Sequence, residues 1–205
     1  SLFHRKSLSQ IDVVRVAVHP DEVEAAEPAV RHLAELGYKV GLTLMQVGDK
    51  PRAVLTEIAR RVEDWRAVEV LYFVDSLGAM AEDDVRRVVS ALADGWTGAI
   101  GFSARDNCQK ALANTLAAFE AGASWLDAAI LGMGRGAGNS RMEHLISDIS
   151  RRIGRFRPAA LYPRVLEDFQ KLQDKYRWGT NLVYYLSAQY GIDPSYEKKM
   201  LDDGR

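Results

Sequence analysis

Two polar side chains in the segment 101–107 are candidates for binding an anion. Ser103 and Arg105 are two residues apart, so on a β-strand both side chains would point to the same face. The strand-like sequence ends here, and in parallel sheets binding sites form at the carboxyl ends of strands. A guanidinium buried at such a position is costly without an anion beside it. That anion is either a bound ligand or an internal carboxylate, Asp75 or Asp127.

Three further residues on predicted strands extend this candidate site. Asp75 closes a strand and opens a turn, where it would act as a general base, a cation ligand or a helix cap. Arg15 and Thr43 lie on the two strands before it. If Arg15 faces the same interior as Arg105, the two guanidiniums would form a positive centre that binds a carboxylate through paired hydrogen bonds. Small 2-oxo acids suit such a centre.

The segment 131–139 contains four glycines at alternate positions, which allows a close backbone approach to a ligand. Gly132, Gly134 and Ala137 also satisfy a loose dinucleotide-binding fingerprint. That fingerprint belongs to the first βα unit and is followed by a strand ending in an acid, and neither condition holds here. The spacing therefore favours a site-forming loop that ends at Asn139 rather than a nucleotide site.

A repeated strand and helix pattern positions these residues. Short β-branched runs begin at residues 12, 38, 68, 97 and 124, so successive starts are 26, 30, 29 and 27 residues apart, which is the length of one βα unit. Connections of this length force parallel strand pairing. The five predicted strands are 12–18, 38–45, 68–75, 97–103 and 124–131.

The predicted fold class is α/β, either an open doubly wound sheet or a (β/α) barrel. Five units are too few for an eight-unit barrel of about 250 residues. We therefore expect a partial (β/α) TIM-type barrel over residues 1–157 that lacks its first strands. We expect residues 158–205 to form a C-terminal helical extension, with helices over 165–176 and 182–190. Thr180 or Asn181 can cap the second helix, and Gly191 with Pro194 ends it. The second helix is apolar around much of its circumference, so it either packs on the barrel or forms an interface.

Composition excludes several classes of protein. The 205 residues carry 27 basic and 28 acidic side chains, so a nucleic-acid surface that depends on net charge is not expected. The single cysteine, Cys108, cannot form an internal disulfide, which is typical of a cytoplasmic protein. No apolar stretch reaches roughly 18 residues, and the first residues carry no signal-peptide pattern, so no membrane association is expected.

Taken together, these segments resemble the HMGL-like superfamily, also called pyruvate carboxyltransferase-like or DRE-TIM metallolyase. The closest branch is that of the 4-hydroxy-2-oxovalerate aldolases. The likeness runs from about residue 11 to residue 196 and implies a TIM barrel entered at about its third strand. It is carried most strongly by residues 131–139, with support from 41–46, 74–78, 111–115 and 178–182.

Two departures from the family pattern concern its metal site, which would hold Mg²⁺ or Mn²⁺. The Asp-Arg-Glu signature would lie before residue 1. The family's His-x-His metal pair falls on Ser103 and Arg105, so only Asn139 matches a ligand position. One amide oxygen cannot hold such an ion, and a guanidinium would repel it. We therefore expect a degenerate metal site and no cofactor.

The resemblance implies an aldolase-like carbon-carbon lyase acting on a 2-oxo acid. The residues expected to carry it are Arg105 and Asp75 as catalytic groups and, for substrate binding, Arg15, Thr43, Ser103 and Asn139. The alternative is a non-catalytic, degenerate relative or fragment that serves as a binding or assembly module. A truncated barrel exposes two sheet edges, so we also expect a homo-oligomer or a partner chain that completes the barrel.

Overall fold

One sheet of five parallel strands forms the centre of the molecule. The computed structural model describes residues 3–192 and residue 196. The strands lie side by side in chain order, and a helix lies between each strand and the next one along the chain. This order confirms the predicted α/β class and a partial TIM-type barrel. The strands are β1 (Val13–Val18), β2 (Lys39–Met45), β3 (Val70–Asp75), β4 (Ala99–Ala104) and β5 (Trp125–Leu126).

The helices that follow the strands cover one face of the sheet, as right-handed crossovers between neighbouring parallel strands require. Alternate strand residues point toward them, and Leu42, Phe73 and Phe102 are fully buried in that layer. The Phe73 and Phe102 rings lie 4.7 Å apart between centroids. Each such side chain stabilises the fold by about 1.5 to 3 kcal/mol. The helices are α1 (Val23–Glu35), α2 (Arg52–Trp65), α3 (Glu82–Ala93), α4 (Ala111–Glu120) and α5 (Met142–Ile153).

The uncovered face of the sheet is strongly concave. Arg15 on β1 and Asp127, directly after β5, form an ion pair of 2.6 Å between Nη1 and Oδ2. In a flat sheet these two edge strands would lie about 19 Å apart, at roughly 4.8 Å for each of four spacings. Two side chains cannot span that distance. The strands are therefore curled into a barrel arc whose interior contains this ion pair.

The fifth strand is much shorter than the prediction of 124–131. After β5 the chain turns over Ile130–Gly132, where Leu131 adopts a φ of 50°. The Leu131 amide donates a 3.0 Å hydrogen bond to Glu143 Oε2. The sequence predicts a strand through the apolar run 128–131, because a buried strand and a short buried turn can have the same apolar composition. The first four strands begin one or two residues later than predicted.

The C-terminal extension is helical, as predicted. The helices α6 (Tyr162–Arg164) and α7 (Gln170–Tyr176) are joined by a π-helical stretch, Val165–Phe169, and α8 (Leu182–Gln189) follows. Asn181 Oδ1 accepts the Tyr184 amide at 3.1 Å, which confirms one of the two predicted caps.

The apolar side of α8 is exposed. Leu182 is 70% exposed and Tyr185 is 44% exposed, whereas the small residues Ser187 and Ala188 are buried. The helix α8 thus contacts the barrel through its small residues and the Tyr184 carbonyl, while Leu182 and Tyr185 on its apolar side stay exposed among the described residues. Pro194, predicted to end the helix with Gly191, lies outside the described residues.

Within the described residues, every helix is too short or too polar to cross a bilayer.

Candidate functional site

A pocket of about 410 Å³ lies on the concave face near the carboxyl ends of the strands. It collects three of the residues that the sequence assigned to substrate binding, although they are far apart in the chain. Its lining carries one cation, one anion, two neutral polar side chains and three apolar residues. The lining residues are Arg15, Ser103, Leu126, Asp127, Ala128, Ala129 and Asn139.

Arg15 is held on three sides. Its Nη1 donates to Asp127 Oδ2 at 2.6 Å, and its Nε donates to Thr43 Oγ1 at 3.3 Å. Its guanidinium carbon lies 3.7 Å from the centroid of the Tyr72 ring. Thr43, the fourth predicted binding residue, therefore contacts Arg15 and is itself buried. Arg15 Nη2 makes no hydrogen bond to the part of the chain that the structure describes, and its guanidinium reaches the pocket.

Tyr72 lies under Arg15. Its ring also contacts Trp125, at 6.3 Å between centroids in an edge-to-face arrangement. Burial, together with the Asp127 charge, raises the pKa of the Tyr72 phenol to about 12, against the lowering effect of the Arg15 charge. The phenol is therefore neutral at physiological pH, and Tyr72 offers Arg15 an aromatic surface rather than a base.

Arg105 lies beside this pocket and is held differently from Arg15. Its Nη1 donates to the Arg135 carbonyl at 2.7 Å, and its backbone pairs with Asn139 in an antiparallel bridge. Arg105 is thus anchored to the glycine-rich loop, whereas Arg15 is ion-paired with Asp127. A shared positive centre formed by the two guanidiniums stays a prediction.

The glycine-rich loop brings Asn139 to the pocket. Asn139 Nδ2 donates to the Met133 carbonyl at 3.0 Å, which fixes the amide and leaves its oxygen without a partner among the described residues. A Cβ at Gly134 would lie 2.3 Å from that Nδ2, so a side chain there would displace the Asn139 amide. The backbone N–H of Asn139 also donates to the Gly132 carbonyl at 3.0 Å. Gly132 and Gly134 therefore both lie directly against Asn139.

Asp75 lies elsewhere, in a second cleft of about 440 Å³ at the ends of β1 to β3. Its carboxylate is 3% exposed and accepts the amides of Ala79 and Met80, both at 3.1 Å. Burial raises the pKa of Asp75 to about 6, against the lowering effect of these hydrogen bonds. Its side chain alternates with that of Val74 and so belongs to the helix-covered side of the sheet. Asp75 holds the turn that opens α3, in agreement with the capping alternative.

The residues present do not fit a divalent metal. No group of three or more His, Cys, Asp or Glu side chains in the described part of the chain could hold an ion. At the position implied by the family, the available groups are a hydroxyl on Ser103, the amide oxygen of Asn139 and the cation of Arg105. Mg²⁺ and Mn²⁺ need several oxygen or imidazole ligands, and Arg105 would repel them.

The C-terminal extension holds the two loops that carry Arg105 and Asn139. Trp178 Nε1 donates to the Leu131 carbonyl at 2.9 Å, and Thr180 Oγ1 donates to the Asn107 carbonyl at 2.9 Å. Asn107 Nδ2 in turn donates to the Tyr184 carbonyl at 3.2 Å. The sequence pointed to these segments only through the family likeness, because such contacts join residues about 50 to 80 positions apart.

Fold and pocket together define a (β/α)-barrel protein with a polar pocket at the carboxyl ends of its strands. The sequence pattern of the HMGL-like family matches residues 3–168, so the chain belongs to the HMGL-like family. It is 34% identical over 184 residues to the oxaloacetate decarboxylase of Mycobacterium tuberculosis, covering 90% of this chain and 51% of that protein. It is 33% identical to the 4-hydroxy-2-oxovalerate aldolase of Thermomicrobium roseum, covering 90% and 56%. The chain thus spans about half the length of these curated relatives.

Solved structures show the same fold. The N-terminal domain of a "putative aldolase" from Bacteroides vulgatus superposes with a TM-score of 0.83 at 26% identity, covering 98% of this chain and 68% of that one. The HMG-CoA lyase of Bacillus subtilis superposes with a TM-score of 0.69 at 16% identity, covering 82% and 64%. The carboxyl transferase domain of Rhizobium etli pyruvate carboxylase gives 0.77 at 19%, covering 95% and 35%. The last two matches concern the fold alone.

Proposed function

We propose that this chain is a cytoplasmic, aldolase-type carbon-carbon lyase that acts on a small 2-oxo acid without a divalent metal at its Ser103, Arg105 and Asn139 cluster. The observation that carries the proposal is the convergence of Arg15, Ser103 and Asn139 on one pocket at the carboxyl ends of the strands. Relatives of this chain include 4-hydroxy-2-oxovalerate aldolases and an oxaloacetate decarboxylase, whose names specify 2-oxo acids.

The substrate carboxylate binds at Arg15 in this proposal. The Nη2 edge is the part of the guanidinium that Asp127, Thr43 and Tyr72 leave without a protein hydrogen-bond partner. A carboxylate there gains charge-assisted hydrogen bonds while the guanidinium remains fixed. The Ser103 hydroxyl and the Asn139 amide oxygen lie in the same pocket and orient the rest of the ligand.

Arg105 supplies positive charge where the family would use a metal. In the retro-aldol direction the hydroxyl at C4 loses its proton, the C3–C4 bond breaks, an aldehyde leaves and the enolate is protonated at C3. The negative charge develops on the 2-oxo oxygen, and a fixed cation stabilises it. Arg105 keeps its charge because a guanidinium stays protonated in proteins, and its Nη1 donates to the Arg135 carbonyl on the glycine-rich loop.

We keep Asp75 as the proposed proton carrier, although its position in the structure limits how it can reach the substrate. Its carboxylate lies in the second cleft, on the helix-covered side of the sheet and not among the residues that line the Arg15 pocket. Its pKa of about 6 suits a group that exchanges protons near neutral pH, but transfer to the pocket would need water between the two sites. Its carbonyl oxygen accepts the Arg105 amide at 3.3 Å, so the two residues are mechanically linked. Asp75 therefore either relays the proton through water in the cleft or acts only by holding Arg105.

Retro-aldol turnover in chelator tests the proposal. With 4-hydroxy-2-oxopentanoate as substrate and pyruvate release as the readout, we expect activity in EDTA and a loss of about 100-fold or more in Arg105→Ala. Arg61→Ala is the matched control, because Arg61 forms exposed ion pairs on α2, away from the pocket. Full activity in Arg105→Ala, or activity restored only by Mn²⁺, contradicts the proposal.

The second candidate function is a non-catalytic binding or assembly module. The loss of metal ligands and the exposed apolar side of α8 favour it. Under this alternative the chain shows no turnover and no pyruvate binding, but it forms a stable assembly.

Assembly is expected under both candidate functions. β1 and β5 are the outer strands of the described sheet, and unpaired strand edges invite pairing with another chain. We propose a dimer or larger homo-oligomer, or a partner chain that completes the barrel. Sedimentation velocity on the purified chain should show a species above monomer mass, and a monomer at micromolar concentration contradicts the homo-oligomer.

A further inference from the structure

The Tyr72 ring packs against the Arg15 guanidinium, yet Tyr72 has no role in the proposed reaction. Its ring leans over Gly101 of the neighbouring strand, and the guanidinium carbon of Arg15 lies 3.7 Å from the centroid of the ring. The phenol oxygen makes no hydrogen bond with any described residue. The position of the ring rather than its hydroxyl group therefore requires an explanation.

The position of the ring depends on Gly101, and the position of the Arg15 stem depends on Gly41. Tyr72 pairs in register with Gly101 on β4, and a Cβ at Gly101 would lie 2.3 Å from the ring. A Cβ at Gly41 on β2 would lie 3.1 Å from the Arg15 side chain and 3.5 Å from the ring. Gly101 thus leaves space for the Tyr72 ring, and Gly41 leaves space for the stem of the Arg15 side chain. A tyrosine with ordinary neighbours would stand away from the sheet, because strand side chains project roughly perpendicular to it.

We propose that Tyr72 is a positioning residue that supports the Arg15 guanidinium from below, so that Asp127 and Thr43 occupy two of its edges and the Nη2 edge alone faces a substrate carboxylate. The inference rests on the proposed function for the identity of the ligand, but the support itself exists in the free protein. A face contact to a cation is attractive and is strengthened by burial. It also removes rotational freedom before the ligand binds, which lowers the entropic cost of binding.

The pair Tyr72→Phe and Tyr72→Leu tests this role. Phenylalanine keeps the ring and removes the hydroxyl, whereas leucine removes the ring. We expect pyruvate affinity, measured calorimetrically in EDTA, to stay within about twofold in Tyr72→Phe and to fall about tenfold in Tyr72→Leu, which corresponds to about 1.4 kcal/mol. Affinity lost equally in both variants would overturn the inference, because it would assign the effect to the hydroxyl.

A matched control separates positioning from general loss of stability. Tyr38 is also a buried tyrosine with an edge-to-face aromatic neighbour, but it belongs to the helix-covered core. Tyr38→Leu should lower the melting temperature while leaving pyruvate affinity unchanged. If Tyr38→Leu weakens pyruvate binding as much as Tyr72→Leu, the positioning role is wrong.

NMR of the arginine side chains gives a readout that needs no ligand. Protons of the Arg15 side chain above the Tyr72 ring should resonate upfield through the ring current, in the wild type and in Tyr72→Phe, and should return to ordinary positions in Tyr72→Leu. Unshifted Arg15 resonances in the wild type overturn the inference. A shifted resonance together with no pyruvate binding supports the positioning of Arg15 while it contradicts the proposed function, so the two failures are distinguishable.

Discussion

The two faces of the five-stranded sheet use the same strands for different purposes. Toward the helices, alternate residues such as Leu42, Phe73 and Phe102 are fully buried and apolar. Toward the concave side, the residues between them include the charged and polar groups Arg15, Thr43 and Ser103. The pleat of a strand separates the two sets, because successive side chains point to opposite faces. The helix-covered face stabilises the fold, and the concave face is available for chemistry.

Large-to-small substitutions should show the greatest difference between the faces. Phe73→Ala removes a fully buried ring, and we expect a loss of about 3 to 5 kcal/mol in the free energy of unfolding measured with urea. Ser103→Ala on the concave face should change it by about 0.5 kcal/mol or less. Comparable losses in the two variants would show that the concave face is part of the stabilising core.

Asp75 should give the helix-covered side a pH-dependent stability. Its pKa of about 6 in the folded protein lies above the value of about 4 in an unfolded chain, because burial disfavours the charged form. The folded state therefore retains a proton that the unfolded state loses. The resulting stability, of order 2 to 3 kcal/mol, is fully present below pH of about 4 and is lost as pH rises through about 6.

Asp75→Asn should flatten this dependence. The free energy of unfolding between pH of about 4 and 6.5 would then change less than in the wild type, whereas Asp94→Asn, which removes a surface ion pair with Arg52, should leave the slope unchanged. An unaltered slope in Asp75→Asn would show that other groups produce it.

The concave face has its own packing requirement at Gly101. Gly101→Ala places a methyl group against the Tyr72 ring, and we expect it to destabilise the protein by about 1 to 3 kcal/mol. In a Tyr72→Leu background the same substitution should cost much less, because the ring is gone. A double-mutant cycle measures this coupling, and additive losses would contradict the arrangement of ring and glycine.

The ion pair of the concave face should contribute least to stability. Arg15 and Asp127 are each about one third exposed, so solvent weakens their attraction. We expect Asp127→Asn to cost about 1 kcal/mol or less, with a smaller effect in high salt. A loss as large as that of Phe73→Ala would mean that the curvature of the sheet depends on this pair.

The sequence predicted the fold well because periodicity survives in a single chain. Strand starts at regular intervals identified the βα units. A strand end identified Ser103 and Arg105 as candidates, and the shared interior face of the strands identified Arg15. It failed at the fifth strand, where an apolar run over 128–131 forms a turn instead.

The contacts inside the pocket could not be predicted from the sequence. Asp127 was considered as a partner for Arg105, but the curl of the sheet brings it to Arg15. Tyr72 was not recognised at all, because its position depends on the register that places Gly101 opposite it. Curvature and register arise from the whole sheet, and no local pattern reports them.

Pyruvate binding in the absence of metal tests the central claim most directly. Calorimetric titration of pyruvate into the purified chain in EDTA should give a saturable heat, Arg15→Met should weaken it at least about tenfold, and replacing EDTA with Mn²⁺ should change nothing. Binding that appears only with Mn²⁺, or that persists unchanged in Arg15→Met, would contradict an anion site built on Arg15 and free of a divalent ion.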